Sequence, residues 1–144
     1  MSIQNYGKKL VKDGVLVCEP RLIHQHELQK IWTPDFMESI VFFSATKDKY
    51  ISSLNFFWQS IFHQREVMSQ TDAEEIFTST QLIKVTIDEA NEKIQKCCPE
   101  WFLEYEYLLP DATWIHLIWN DENDVFILFE DDERYYGWGW DSIE

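Results

Sequence analysis

The sequence predicts an α+β fold: a single domain spanning residues 1–144, in which an antiparallel sheet that ends in a C-terminal meander carries helices packed on one face. Three observations lead there. The chain of 144 residues is long enough for one hydrophobic core and too short for two comfortable domains, and no linker rich in Gly, Pro or Ser and no internal repeat divides it. Apolar residues recur at three- and four-residue steps through the middle of the chain. Toward the end they fall into short runs and two-residue alternation, and this segregation of helical middle from strand-like end favours an antiparallel sheet over alternating βαβ units.

The elements follow in chain order. Lys9-Leu10-Val11 and Val15-Leu16-Val17 flank Lys12-Asp13-Gly14, and because Asp-Gly tolerates positive φ they read as a small hairpin. Leu22, Ile23, Leu28, Ile31 and Trp32 fit one face of a short helix over Arg21 to Trp32, closed by Pro34. Ser39 to Ala45 reads as a buried strand. Lys47 to Met68 is the main helical stretch, with Tyr50, Ile51, Leu54, Phe57, Trp58, Ile61 and Phe62 on one stripe. Thr80 to Ile87 reads as a strand leading into a second helix, capped by Asp88, with Glu89 and Glu92 favoured by the macrodipole, and ending near Lys96 before Pro99. Trp101 to Leu109 alternates Trp101, Leu103, Tyr105 and Tyr107 with Glu104 and Glu106, the period of a strand with one solvated face. Thr113 to Trp119 and Val125 to Phe129 are further strands, joined by the five residues Asn120 to Asp124, and these three strands form the expected meander.

Charge and aromatic content set the functional expectations. From Trp101 to Glu144 the chain holds twelve Asp and Glu against one basic residue, Arg134, together with five of its seven tryptophans. Interleaving with large apolar side chains marks this region as a folded acidic face, since a disordered acidic tail would lack the surface to bury. At a net charge of −14 the protein is repelled by nucleic acid and anionic lipid, so direct binding to either is not expected. No window resembles a signal peptide or a membrane span, and the adjacent Cys97 and Cys98, with Cys18 alone, make no plausible disulfide framework, so the expected location is cytoplasmic.

The expected partner is therefore a basic protein. Asp121, Glu122 and Asp124 lie at one end of the strand Val125 to Phe129, and Glu130, Asp131, Asp132 and Glu133 at the other, as two acidic patches on the rim of one sheet. Solvated loops that keep the protein soluble give the same pattern. In the closing segment Arg134 to Asp141, alternation sends Trp138 and Trp140 to one side. Either this is a final edge strand whose tryptophans plug the core, or Tyr135, Tyr136 and Trp138 form the apolar centre of a binding patch rimmed by Glu130 to Glu133 and Asp141.

Specific chemistry is not encoded in any motif. His24, His26, His63 and His116 with Cys97 and Cys98 match no zinc spacing, and the loop from Asn120 has Val125 and Phe126 where a calcium loop needs Gly and a ligand, so neither a metal nor a cofactor is expected. A small enzyme with a Cys or carboxylate in a pocket between helix and sheet remains an alternative, as do a phage-type DNA mimic and a subunit of a larger assembly.

In size, acidity and aromatic content the chain resembles the small immunity proteins that bacteria make beside secreted toxins, including those of contact-dependent growth inhibition and other polymorphic toxin systems. The resemblance is one of general character, without an alignable motif, and it carries over no residue. It implies a cytoplasmic protein that binds its cognate toxin, often a basic nuclease, and blocks the active site or substrate groove without turnover.

Overall fold

A computed structural model describes residues 11–12, 15–16, 28–32, 38–50, 52–53, 56–57, 81–112 and 114–142. Its centre is a six-stranded antiparallel sheet in the order β3-β4-β8-β7-β6-β5, formed by β3 (Leu28–Trp32), β4 (Glu38–Thr46), β5 (Ile83–Lys84), β6 (Trp114–Asp121), β7 (Asp124–Glu130) and β8 (Arg134–Ser142). A separate two-stranded ribbon pairs β1 (Val11–Lys12) with β2 (Val15–Leu16), as the Asp-Gly pair between them leads one to expect. Two helices, α1 (Ile87–Cys97) and α2 (Pro99–Tyr105), cover one face of the sheet. The α+β arrangement and the presence of a C-terminal meander are as expected, but its strands are β6-β7-β8: Arg134–Ser142 supplies one strand, and Trp101 to Leu109, expected as the first, does not.

Register explains which residues enter which layer, because directly opposed residues project to the same side. Phe42, Trp138, Ile127 and Leu117 form one row across four strands, and Ile40, Trp140 and Val125 form another. These meet Ala90, Ile94, Cys98 and Trp101 from the helices. Trp101, fully buried, stands edge-on to Trp138 with ring centroids 5.7 Å apart and packs tilted on Phe42 at 6.1 Å. The opposite face is aromatic: Val41, Gly139, Phe126 and Trp119 lie in one row, Phe43, Gly137, Leu128 and His116 in the next. Phe56 and Phe57, described as helical, cover it, with Phe56 5.5 Å from Phe43 and Phe57 5.1 Å from Phe126.

The unusual Gly137-Trp138-Gly139 sequence thereby has a physical cause. β8 runs through the middle of the sheet, so its two sides meet different layers. Trp138 fills the helix side, while the glycines make room for rings on the other. A Cβ at Gly137 would lie 2.6 Å from the Phe43 ring and 2.9 Å from Phe126, and one at Gly139 would lie 3.1 Å from Phe126.

Several expectations are corrected. Residues 28–32 form a strand on β4 where a helix over Arg21 to Trp32 was expected; tertiary pairing from Leu28–Ser44 to Trp32–Ile40 overrides the helical spacing, and Arg21 to His26 and Glu27 lie outside the described residues. Of the expected helix Lys47 to Met68, Lys47–Lys49 is a single 3-10 turn and residues 53, 56 and 57 are helical, while most of the remainder lies outside the described residues. The strand expected over Thr80 to Ile87 is confined to Ile83–Lys84. Helix α1 is capped by Thr86 and not by Asp88. The Thr86 side chain accepts from the Glu89 N–H at 3.1 Å and Glu89 Oε1 accepts from the Thr86 N–H at 3.1 Å, a reciprocal box that admits Ile87 to the first turn.

The largest correction is Trp101 to Leu109, helical where a strand was expected. Pro99 occupies the first turn of α2, a position its fixed φ and missing N–H suit, and a 3-10 turn at Glu106–Leu108 follows. Trp101, Tyr105 and Leu108 face the core at four- and three-residue steps, and Leu103 and Tyr107, which alternation would bury, are 82% and 72% exposed. Finally, the β6–β7 connection is the two residues Glu122 and Asn123, since Asp121 and Asp124 already pair.

Replacing Gly137 by Ala is expected to destabilise the protein by about 1–3 kcal/mol, because the Phe43 and Phe126 rings must shift inside a packed layer. Gly139→Ala should cost less. Urea unfolding midpoints at constant slope check both.

Candidate acidic interface

The sheet holds acidic side chains at both ends of its central meander, and the two ends do different work. At the β7–β8 end, Asp131 is committed to the turn. Its Oδ1 accepts from the backbone N–H groups of Glu133 at 2.8 Å and Arg134 at 2.7 Å, and its Oδ2 from the Tyr136 hydroxyl at 2.6 Å. Burial pushes this carboxyl up, but the hydrogen bonds from Tyr136, Glu133 and Arg134 outweigh it and hold the pKa below its ordinary value. Tyr136 is correspondingly raised by burial and by its bond to Asp131.

Glu130 is likewise engaged, its Oε2 2.7 Å from Lys47 Nζ, which also sits 5.6 Å from the Tyr135 ring centre. Arg134 donates through Nη2 to Ser44 Oγ at 3.0 Å. Asp132 and Glu133 are the exposed carboxylates of this end.

At the β6–β7 end, roughly 20 Å away by strand rise, register places Asp121, Asp124 and Asp141 side by side on three neighbouring strands. All three are exposed, with Glu122 beside them in the turn. Neighbouring strands lie about 4.8 Å apart, so this row holds like charges where cross-strand pairing disfavours them. Ser39 Oγ donates to Asp141 Oδ1, and Trp140 Nε1 donates to Glu38 Oε1 at 2.8 Å, which ties β4 to β8 at the same margin.

Three expected interface residues take other places. Trp138 is 0% exposed and belongs to the core beneath α2. Tyr135 is buried on the aromatic face, 5.5 Å from Phe56, so it and Tyr136 point to opposite sides of the sheet. Neither Tyr135 nor Trp138 can anchor a partner while the sheet is intact, because β8 is an interior strand and not the expected edge. Tyr136 is half-buried with its hydroxyl held by Asp131. The exposed set is thus Asp121, Glu122, Asp124, Asp132, Glu133 and Asp141.

Sequence reasoning placed Glu104 and Glu106 on a strand; in the structure they, with Glu100 and Asp111, are exposed carboxylates of α2 and the chain after it, a stretch in which Leu103 and Tyr107 are also exposed. The signal available was Pro99-Glu100, a helix start with an acid in the first turn. From Cys97 to Glu133 the sequence contains no Lys or Arg.

Other chemistry is thinly supplied among the described residues. Burial pushes the Cys97 thiol up to about 11 and raises Cys98 too, so both stay protonated and weakly nucleophilic near neutral pH. Burial and then Lys84 lower the pKa of His116, which keeps its ring neutral. Among the described residues, no group of three or more His, Cys, Asp or Glu is placed to hold a metal ion, and no helix is long and apolar enough to cross a membrane.

Asp131→Ala is expected to cost about 1–2 kcal/mol at pH 7, the worth of hydrogen bonds to a charged acceptor reduced for partial exposure. Because the folded pKa is depressed, this contribution is complete above the unfolded value of about 3.9 and is lost as pH falls through the folded one. The difference in unfolding free energy between parent and variant should therefore shrink on acidification below about pH 4. Cys97 should react with iodoacetamide at pH 7.5 about tenfold more slowly in the folded protein than after unfolding, since its raised pKa lowers the thiolate fraction more than it raises nucleophilicity, read by fragment-ion mass spectrometry.

Comparison of the chain with protein-family models, curated proteins and solved structures found no match.

Proposed function

We propose that this chain is an immunity-type inhibitor: a cytoplasmic protein that binds a basic partner, a cognate toxin nuclease, and occludes its active site or substrate groove. The observation that carries the reading is the mounting of exposed carboxylates at both ends of a meander whose two faces are packed. Asp121, Glu122 and Asp124 at the β6–β7 turn with Asp141 beside them on β8, and Asp132 and Glu133 at the β7–β8 turn, are held by interior strands and the turns between them. A charged surface on so stiff a base needs little ordering when a partner arrives, which lowers the entropic cost of association. Several like charges held together also speed encounter with a basic groove that normally accommodates phosphates. Among the described residues, burial raises the pKa of both Cys97 and Cys98, which disfavours either as a nucleophile.

The test begins with affinity capture from an extract of the source organism, eluted in a salt gradient, followed by a nuclease assay of the captured protein with and without this chain. A basic protein whose activity is lost on stoichiometric addition supports the reading. Retention of full nuclease activity, or capture of acidic proteins alone, overturns it. With that partner, combining Asp121→Asn, Glu122→Gln, Asp132→Asn and Glu133→Gln should slow association at least tenfold, flatten its salt dependence and leave dissociation nearly unchanged.

A further inference from the structure

The groove between α1 and the α2 end of the chain is assigned by neither the sequence nor the turn carboxylates, and its chemistry is one-sided. It has a volume of about 410 Å3, within the range of pockets that take small ligands. Ile87, Phe102, Leu109 and Pro110 supply its apolar lining. Glu106 and Asp111, both exposed, supply two carboxylates, and no Lys, Arg or His lines it. Tyr107 stands at the same groove, 72% exposed.

Asn91, one turn after Ile87 on α1, completes the lining. The groove therefore offers two carboxylates, an aromatic ring and an apolar floor. Those are the groups that accept a guanidinium on an aliphatic stem: planar N–H donors for the oxygens, a cation for the ring, methylenes for the floor.

We propose that this groove is the receptor for an arginine side chain of the basic partner, with Glu106 and Asp111 taking the charge and Tyr107 and the apolar floor taking its stem. The inference rests on the reading of the chain as a binder of a basic protein and names where that protein is anchored. The acidic turns steer the approach, whereas the groove sets how long the complex lasts.

The experiment is an NMR titration of the 15N-labelled full chain with N-acetyl-arginine amide, and with N-acetyl-citrulline amide as the neutral isostere. The expected result is a saturable shift of the Ile87, Asn91, Tyr107 and Asp111 amides, with citrulline at least fivefold weaker. Glu106→Gln with Asp111→Asn should weaken arginine binding at least fivefold, while Asp121→Asn with Asp124→Asn leaves it unchanged. Shifts confined to residues 121–124 and 141 would overturn the groove while leaving the basic-partner reading standing. Equal response to citrulline, or no groove shift up to 100 mM arginine amide, on the order of the weakest single-residue contact, would also overturn it. Failure of the broader reading shows separately, in the nuclease assay. The amide spectrum of each variant reports its folding in the same measurement.

Discussion

The fold depends on one strand that must satisfy two different layers at once. β8 lies between β4 and β7, and its alternation of Tyr136, Trp138 and Trp140 with Gly137 and Gly139 gives bulk to the helix side and space to the aromatic side. Phe43 and Phe126 occupy that space, and Trp101 closes over Trp138. A side chain at Gly137 would meet the rings of Phe43 and Phe126, so the aromatic layer reaches the sheet only where β8 is bare. The packing of α2, the position of Phe56 and Phe57 and the register of the meander all follow from it.

Much of this was legible in the sequence, and the failures have identifiable causes. β4, β6 and β7 carry apolar runs of strand length and were found; so was α1, whose Thr86 box lay two residues ahead of the expected cap. Trp101 to Leu109 misled because its aromatic residues satisfy both periods. Trp101, Leu103, Tyr105 and Tyr107 alternate, yet Trp101, Tyr105 and Leu108 also form a helical stripe, and only the proline at the start separates the readings. For residues 28–32, pairing with β4 decides the outcome, and no local pattern contains that contact.

The candidate interface was legible as charge but not as roles. A run such as Glu130-Asp131-Asp132-Glu133 shows four equivalent carboxylates in sequence. In the fold one makes an ion pair, one holds a turn, and two face solvent. The distinction arises from partners distant in sequence, Lys47 for Glu130, and from hairpin geometry for Asp131. Likewise the burial of Tyr135 and Trp138 follows from β8 being interior, which depends on the return of β4 to its side.

That return has a consequence for how the chain reaches its folded state. Glu38 and Trp140, hydrogen-bonded across β4 and β8, are 102 positions apart. The hairpin β3–β4 and the meander β6-β7-β8 can each form from neighbouring residues, but the sheet is not joined until β4 pairs with β8. Closing so long a loop is slow relative to local pairing, and until it closes β4 and β8 each present an open edge. The exposed carboxylates at the two ends of β8, Glu133 and Asp141, then act as gatekeepers, because like-charged strands on separate chains resist stacking until β4 is in place.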